Sequence, residues 1–319
     1  MSASDTPAPL PGVSPPVPAT ALLVDLRNFT PNLNAAPVDE QRISDFCRFL
    51  SEFYALCLEA CQLALPPSLR GQRYLYVNST GDGALVLFLH RSHVHQAFLA
   101  ALLLHLSLQD SCDEYNARAR QVGCPNVSFG IGVESGEVCG VRAGPEKADW
   151  PRVETYIGAC INVAARAEAL TKGYYGAHTI VAEQAHELLC RGALGQSYRE
   201  LVRAALDEEG GPHGRATLDA MTDLDRRLCL GFLHYHHLKG VDRPLPLFRI
   251  TDYSAHPGND RFMALLVRLA DGERHAAEIA DFLRRRAAKS QAGPRHWAEG
   301  INPLWAGLTD PLSSAGPDA

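Results

Sequence analysis

The stretch NSTGDGALVLF, Asn78 to Phe88, places a carboxylate at the tip of a hairpin. Before it runs RYLYV, Arg73 to Val77, and the stretch itself closes on ALVLF, Ala84 to Phe88. Both segments are short, aromatic or branched, and suited to strands. Between them Gly81 and Gly83 flank Asp82, and glycine permits backbone angles that other residues avoid. A tight turn needs no acid at that place, and Asn78 stands four residues before it.

Working outward, ALLVDL, Ala21 to Leu26, is a strand that ends near Asp25. Over Asp39 to Leu65, residues Ile43, Phe46, Leu50, Phe53 and Leu56 recur at helical spacing, and a second long helix is expected from about His93 to Val122. VSFGIGVESGEVCGVRAG, Val127 to Gly144, alternates and carries glycines, which predicts a strand pair. Gly158 to Lys172, rich in small residues, predicts a helix able to pack closely. TIVA, Thr179 to Ala182, and PLFRI, Pro246 to Ile250, add strands. The expected fold class is an α/β (α+β) sandwich with helices packed on a largely antiparallel sheet. The domain expectations are a disordered Pro-rich lead-in over 1–19, one domain over 20–252 with an insertion at about 191–230, and a C-terminal extension over 253–319 with one helix from about Phe262 to Ala288.

The chain has 319 residues, 46% hydrophobic and 21% charged, long enough for a sizeable core. Its net charge of -6 argues against nucleic acid or an anionic membrane as the main partner. The apolar run Ala97 to Leu106 is too short to span a bilayer. Nine cysteines without zinc-type spacing fit free thiols in a reducing cytoplasm.

Asp25 and Asp82, presented from neighbouring strand ends, make a minimal site for oxygen-liking divalent cations. Either one alone more often caps a turn. After Asp25, LRNFTP, Leu26 to Pro31, supplies successive amides, the Thr30 hydroxyl and a proline at a possible helix start, which resembles an anion-holding turn. Asn162 and Arg166 lie four apart on one helix face. Such a pair can orient a ribose oxygen and neutralise charge developing on a phosphate, although a lone helical arginine more often pairs with a surface carboxylate.

LLVDLRNFT, STGDGALVLF, FGIGVESGEVCG, ETYIGACINVAARAEALT and HLKGVDRPLPLFRI occur in the order and rough spacing of the class III nucleotidyl cyclase domain, which the chain resembles over about Thr20 to Asp252. The resemblance implies a ferredoxin-like core and a head-to-tail homodimer with two composite sites. In that family, residues matching Asp25 and Asp82, with the carbonyl of Leu26, bind two Mg²⁺ or Mn²⁺ ions. Those matching Asn28, Phe29 and Thr30 hold the β- and γ-phosphates of a nucleoside triphosphate, and the partner subunit supplies those matching Asn162 and Arg166. Val241 stands where the family has a phosphate-binding lysine, with Arg243 the candidate substitute, and Asn28 replaces a glycine of the phosphate turn.

The family reads its base with a pair matching Asn78 and Thr155. Adenylate cyclases have lysine at the first place and aspartate or threonine at the second; guanylate cyclases have glutamate and cysteine. The amide of Asn78 offers a donor beside an acceptor, which fits uracil or, flipped, cytosine. A bulky residue such as Tyr54 is a candidate to close a pyrimidine-sized pocket. At this point the chain resembles the pyrimidine cyclases of bacterial Pycsar anti-phage systems, which keep the metal and transition-state residues and replace the base-reading pair. That resemblance implies conversion of UTP to 3′,5′-cyclic UMP and pyrophosphate, with the product activating a downstream effector. The alternatives are a cytidylate or adenylate cyclase of the same fold, or an inactive nucleotide-binding pseudocyclase.

Overall fold

The computed structural model describes residues 12–34, 40–144, 153–173, 178–194, 225, 228–250, 265–266 and 268–289. Most of the expected insertion and much of the C-terminal extension lie outside the described residues.

Strand β1 (Val17–Arg27) is followed by α1 (Phe29–Asn34), α2 (Glu40–Ala64), β2 (Leu75–Ser79), β3 (Gly83–Phe88), α3 (His93–Gln121) and β4 (Ser128–Ala143). In the sheet these strands stand in the order β2-β3-β1-β4, and every neighbouring pair is antiparallel. That is the ferredoxin-like arrangement of a split βαβ unit. Beyond it come β5 (Val153–Ile157), α4 (Ala159–Leu170), β6 (Thr179–Ala182), α5 (Glu183–Leu194), β7 (Leu230–His236) and β8 (Leu245–Ile250). Strand β6 runs parallel to β4, and β8 then β7 extend the sheet antiparallel. The expected sandwich of helices on a largely antiparallel sheet is thus observed.

Period-two alternation sorts β1 onto two faces. Leu22, Val24 and Leu26 point into the main core with Phe46, Phe53 and Leu56 of α2 and Phe98, Leu102 and Leu108 of α3. Ala19, Ala21 and Leu23 point to the other face, where Cys160 and Ala164 of α4 cover them. The helix α6 (Gly272–Lys289) closes the main core with Ala276, Ile279, Phe282 and Leu283. His275 Nε2 docks it on the Leu63 carbonyl at 2.6 Å.

Three findings differ from the sequence expectations. The region 127–144 is one continuous strand rather than a strand pair, and its partner is β5 further along. The glycines of β4 serve packing: a Cβ on Gly132 would meet the Ala164 carbonyl at 1.9 Å, and one on Gly136 would meet Cys160 at 3.1 Å. Ordered structure also begins within the 1–19 lead-in, because β1 starts at Val17 and Val13 bridges to Val141.

Candidate active site

Asp25 shares the face of Ala21 and Leu23, so its side chain points toward α4, and its backbone pairs with Gly83. Asp82 sits in the turn between β2 and β3. That turn is closed by Thr80 N–H donating to the Gly83 carbonyl at 2.8 Å, with Gly81 at φ 95. The Leu26 N–H donates to the Asp82 carbonyl at 2.8 Å, which binds the turn to the end of β1. Gly83 does not use positive φ; its role is close approach, since a Cβ there would lie 2.3 Å from the Val24 carbonyl.

The Asp25 carboxyl is pushed up to about 7, chiefly by burial and then by the neighbouring Glu168 and Asp82, with a hydrogen bond to Asp82 adding to the effect. Two acids share this place, a third stands beside them, and Lys172 offsets them in part. The donors are all oxygens, a set suited to hard divalent cations, and a cation's charge would relieve the crowding of acids. Asp25 and Asp82, with the Leu26 carbonyl beside them, could hold such ions.

Asn28, directly after β1, adopts φ 61, the left-handed region that asparagine tolerates. Its Nδ2 donates to the Asn126 carbonyl at 2.7 Å, and its own carbonyl accepts from Asn32 Nδ2 at 2.8 Å. The bend aims the chain into α1, so Phe29 and Thr30 lie in that helix's first turn. Phe29 is anchored against Phe46, with ring centroids 5.7 Å apart.

Asn162 and Arg166 occupy the exposed face of α4, opposite Cys160, Ala164 and Ala167. The expected alternative, a surface ion pair for Arg166, does not occur among the described residues. Within one chain this face is not turned into the Asp25–Asp82 site; the residue of α4 that is turned there is Glu168.

Sequence reasoning missed that residue. Arg27 Nη2 donates to Glu168 Oε1 at 2.9 Å and to the Thr171 hydroxyl, tying α4 to the end of β1 with little solvent around the pair. Burial pushes the Glu168 carboxyl up, and Arg27 offsets part of that. The available signal was an acid on the stripe Cys160, Ala164, Ala167, where an unpaired charge would be costly.

Asn78 is exposed near the end of β2 and shares the face of Tyr76. Thr155 lies on β5, opposite Val141. The outer half of β4 carries β5 back across that face, so Tyr156 meets Tyr76 with ring centroids 5.0 Å apart. Thr155 lines a cavity of about 770 Å³ with Tyr76, Tyr156, Arg73 and Arg142. The two strands are brought together, but Asn78 stands outside that cavity. Tyr54 does not close it: its hydroxyl donates to the Gly81 carbonyl at 2.7 Å and steadies the turn of Asp82. Arg243 forms a fork with both carboxylate oxygens of Glu183.

No family model matches the chain. Over 165 residues, 51% of its length, it is 30% identical to an adenylate cyclase of Anabaena cylindrica, and the match spans 29% of that protein. Among solved structures it is similar to the adenylyl cyclase CyaB from P. aeruginosa, at 15% identity and TM-score 0.49, covering 75% of this chain and 95% of that one. It is also similar to the guanylyl cyclase Cya2, at 18% identity and TM-score 0.45, covering 74% and 93%. Among the described residues, no helix is long and apolar enough to cross a membrane.

Proposed function

We propose that the chain is a metal-dependent nucleotide cyclase of the class III kind that acts as a homodimer on a pyrimidine nucleoside triphosphate, with UTP favoured. The observation that carries this is the Asp25–Asp82 pair, two carboxylates locked side by side by the β1–β3 register and the Leu26–Asp82 hydrogen bond. The similarity to the Anabaena adenylate cyclase supports the same activity class.

In this reading Asp25, Asp82 and the Leu26 carbonyl hold two divalent cations, Mg²⁺ or Mn²⁺. When bound, these ions lower the pKa of the ribose 3′-hydroxyl and neutralise the triphosphate. The amides of Asn28, Phe29 and Thr30 hold the β- and γ-phosphates. Asn162 of one subunit orients the ribose and Arg166 stabilises charge on the α-phosphate in the site of the other, consistent with their solvent-facing side chains. The 3′-oxygen displaces pyrophosphate in line, giving the 3′,5′-cyclic product. Asn78 and Thr155 read the base, and the replacement of a lysine by Asn78 favours uracil over adenine. Arg243, engaged with Glu183, takes no part in the scheme as it stands. A cyclic pyrimidine product implies a separate effector protein as its receiver, in the manner of anti-phage signalling, inside a cytoplasm that supplies the substrate.

The test is pyrophosphate release from each of the four NTPs with Mn²⁺, by wild type, Asp25→Asn and Asp82→Asn. Wild type should turn over UTP best. Either variant should lose on the order of 10²-fold or more, since each removes a ligand from the ions that carry the chemistry. No turnover of any NTP by wild type would favour a pseudocyclase, and a preference for ATP would remove the pyrimidine assignment.

A further inference from the structure

On α5, His186 and Cys190 stand four residues apart and present their side chains on one face. They are 1% and 0% exposed. Asp225, from the segment that leads into β7, brings Oδ1 to 2.8 Å from His186 Nε2. Cys190 Sγ lies 3.6 Å from the same nitrogen and 3.9 Å from Nδ1, at the flank of the ring. All three ligand atoms fall within 4.8 Å of one another, and among the described residues this is the one His/Cys/acid cluster of that kind. The His186 ring is fixed in orientation by lying flat on Phe248, with planes 4° apart.

We propose that His186 Nε2, Cys190 Sγ and the Asp225 carboxylate form a zinc site that cross-links α5 to the start of β7. Tetrahedral zinc with bonds of ~2.0–2.3 Å sets its ligand atoms roughly 3.3–3.8 Å apart. The sulfur–nitrogen separation has that value, but the sulfur lies beside the ring, so binding an ion in front of Nε2 requires Cys190 to turn about its Cα–Cβ bond and the carboxylate to retreat by about half an ångström. The ligand set suits zinc by charge and softness: one thiolate, one carboxylate and a neutral imidazole balance a divalent ion. A sulfur ligand disfavours Mg²⁺, Ca²⁺ and Mn²⁺. On binding, the thiol releases its proton to solvent, and the imidazole carries its proton on Nδ1 so that Nε2 can donate its lone pair. Asp225, with 13% of its side chain exposed, marks the side from which the ion and a fourth ligand, a water, would enter. A hydrogen-bonded His186–Asp225 pair beside a bystander thiol is the competing account. It explains the 2.8 Å contact and leaves Cys190 as one buried thiol among several, such as Cys57 and Cys112, so the thiolate's bond to the metal is what separates the two accounts.

The experiment is a Co²⁺ titration of the full chain after stripping with a chelator, followed by absorbance. Thiolate-bound, four-coordinate Co²⁺ gives a near-ultraviolet sulfur-to-metal charge-transfer band and visible d–d bands. The oxygen donors of Asp25 and Asp82 cannot produce the former, so the result is independent of cyclase activity. Both features should saturate at about one Co²⁺ per chain and be bleached by added zinc. Cys190→Ser should abolish the charge-transfer band. Asp225→Asn, which keeps the shape, should weaken Co²⁺ binding by at least the ~10-fold that loss of even an outer-shell partner costs. A stripped wild type that shows no charge-transfer band, or a Cys190→Ser protein that shows it undiminished, overturns the proposal.

Discussion

Glu134 lies in the middle of β4, almost without solvent, and its oxygens accept the backbone N–H groups of Ser135, Ala185 and Gln184. It therefore caps the first turn of α5 from the neighbouring strand. Burial outweighs those bonds and pushes its carboxyl from 4.5 up to about 7. Between these values the folded chain keeps a proton that the unfolded chain has released. The stabilising effect is thus complete below about pH 4.5 and is lost as pH rises through about 7. Glu134→Gln retains an acceptor and cannot ionise. Thermal melts from about pH 5 to 8 should show wild type losing stability relative to the variant, by at most ~3 kcal/mol across the range. Parallel curves for the two proteins would mean that Glu134 does not titrate in this window. At this scale the sequence was partly legible. Asp25 and Asp82 stood out because acids bounded apolar strands. Glu134 and Glu168 did not, because each takes its meaning from a distant part of the chain, the start of α5 for Glu134 and Arg27 of β1 for Glu168.

The long elements follow from periodicity, and their limits fall within a few residues of the sequence expectation: α2 at Glu40–Ala64 and α3 at His93–Gln121. Strand β4 was harder to see because glycine in a strand is ambiguous. It can mark a turn, or it can mark a place where another backbone comes close. Here it is the second: Gly130, Gly132 and Gly136 form a floor on which α4 rests, with Ala164 directly over Gly132. Gly132→Ala should push α4 away from the sheet, because the obstacle is backbone that cannot rotate aside. The expected loss is about 1–3 kcal/mol or more, read from chemical denaturation. Under the proposed function, activity should fall further than stability alone explains, since α4 also carries Asn162 and Arg166. Wild-type stability in this variant would show that the helix can ride over an added methyl group.

For the whole molecule, the proposed composite site makes a quantitative forecast. Mixing Asp25→Asn with Arg166→Ala subunits, each inactive alone, leaves one whole site in every mixed dimer. With random pairing half the dimers are mixed, so about a quarter of wild-type activity should return. The check is turnover after demonstrated subunit exchange; no recovery would mean that each chain supplies its own arginine. Past Val138, β4 leaves β1 behind, where Pro15 and Pro16 interrupt the ladder. Its edge is then covered by the chain's own early residues: Ser14 N–H to Gly140 at 2.8 Å, Gly140 N–H to Ser14 Oγ at 2.7 Å and Arg142 N–H to Gly12 at 2.7 Å. Bare strand edges are where separate protein molecules zip together into aggregates, so these few bonds act as a hem that keeps the outer half of β4 from fraying into its neighbours in solution.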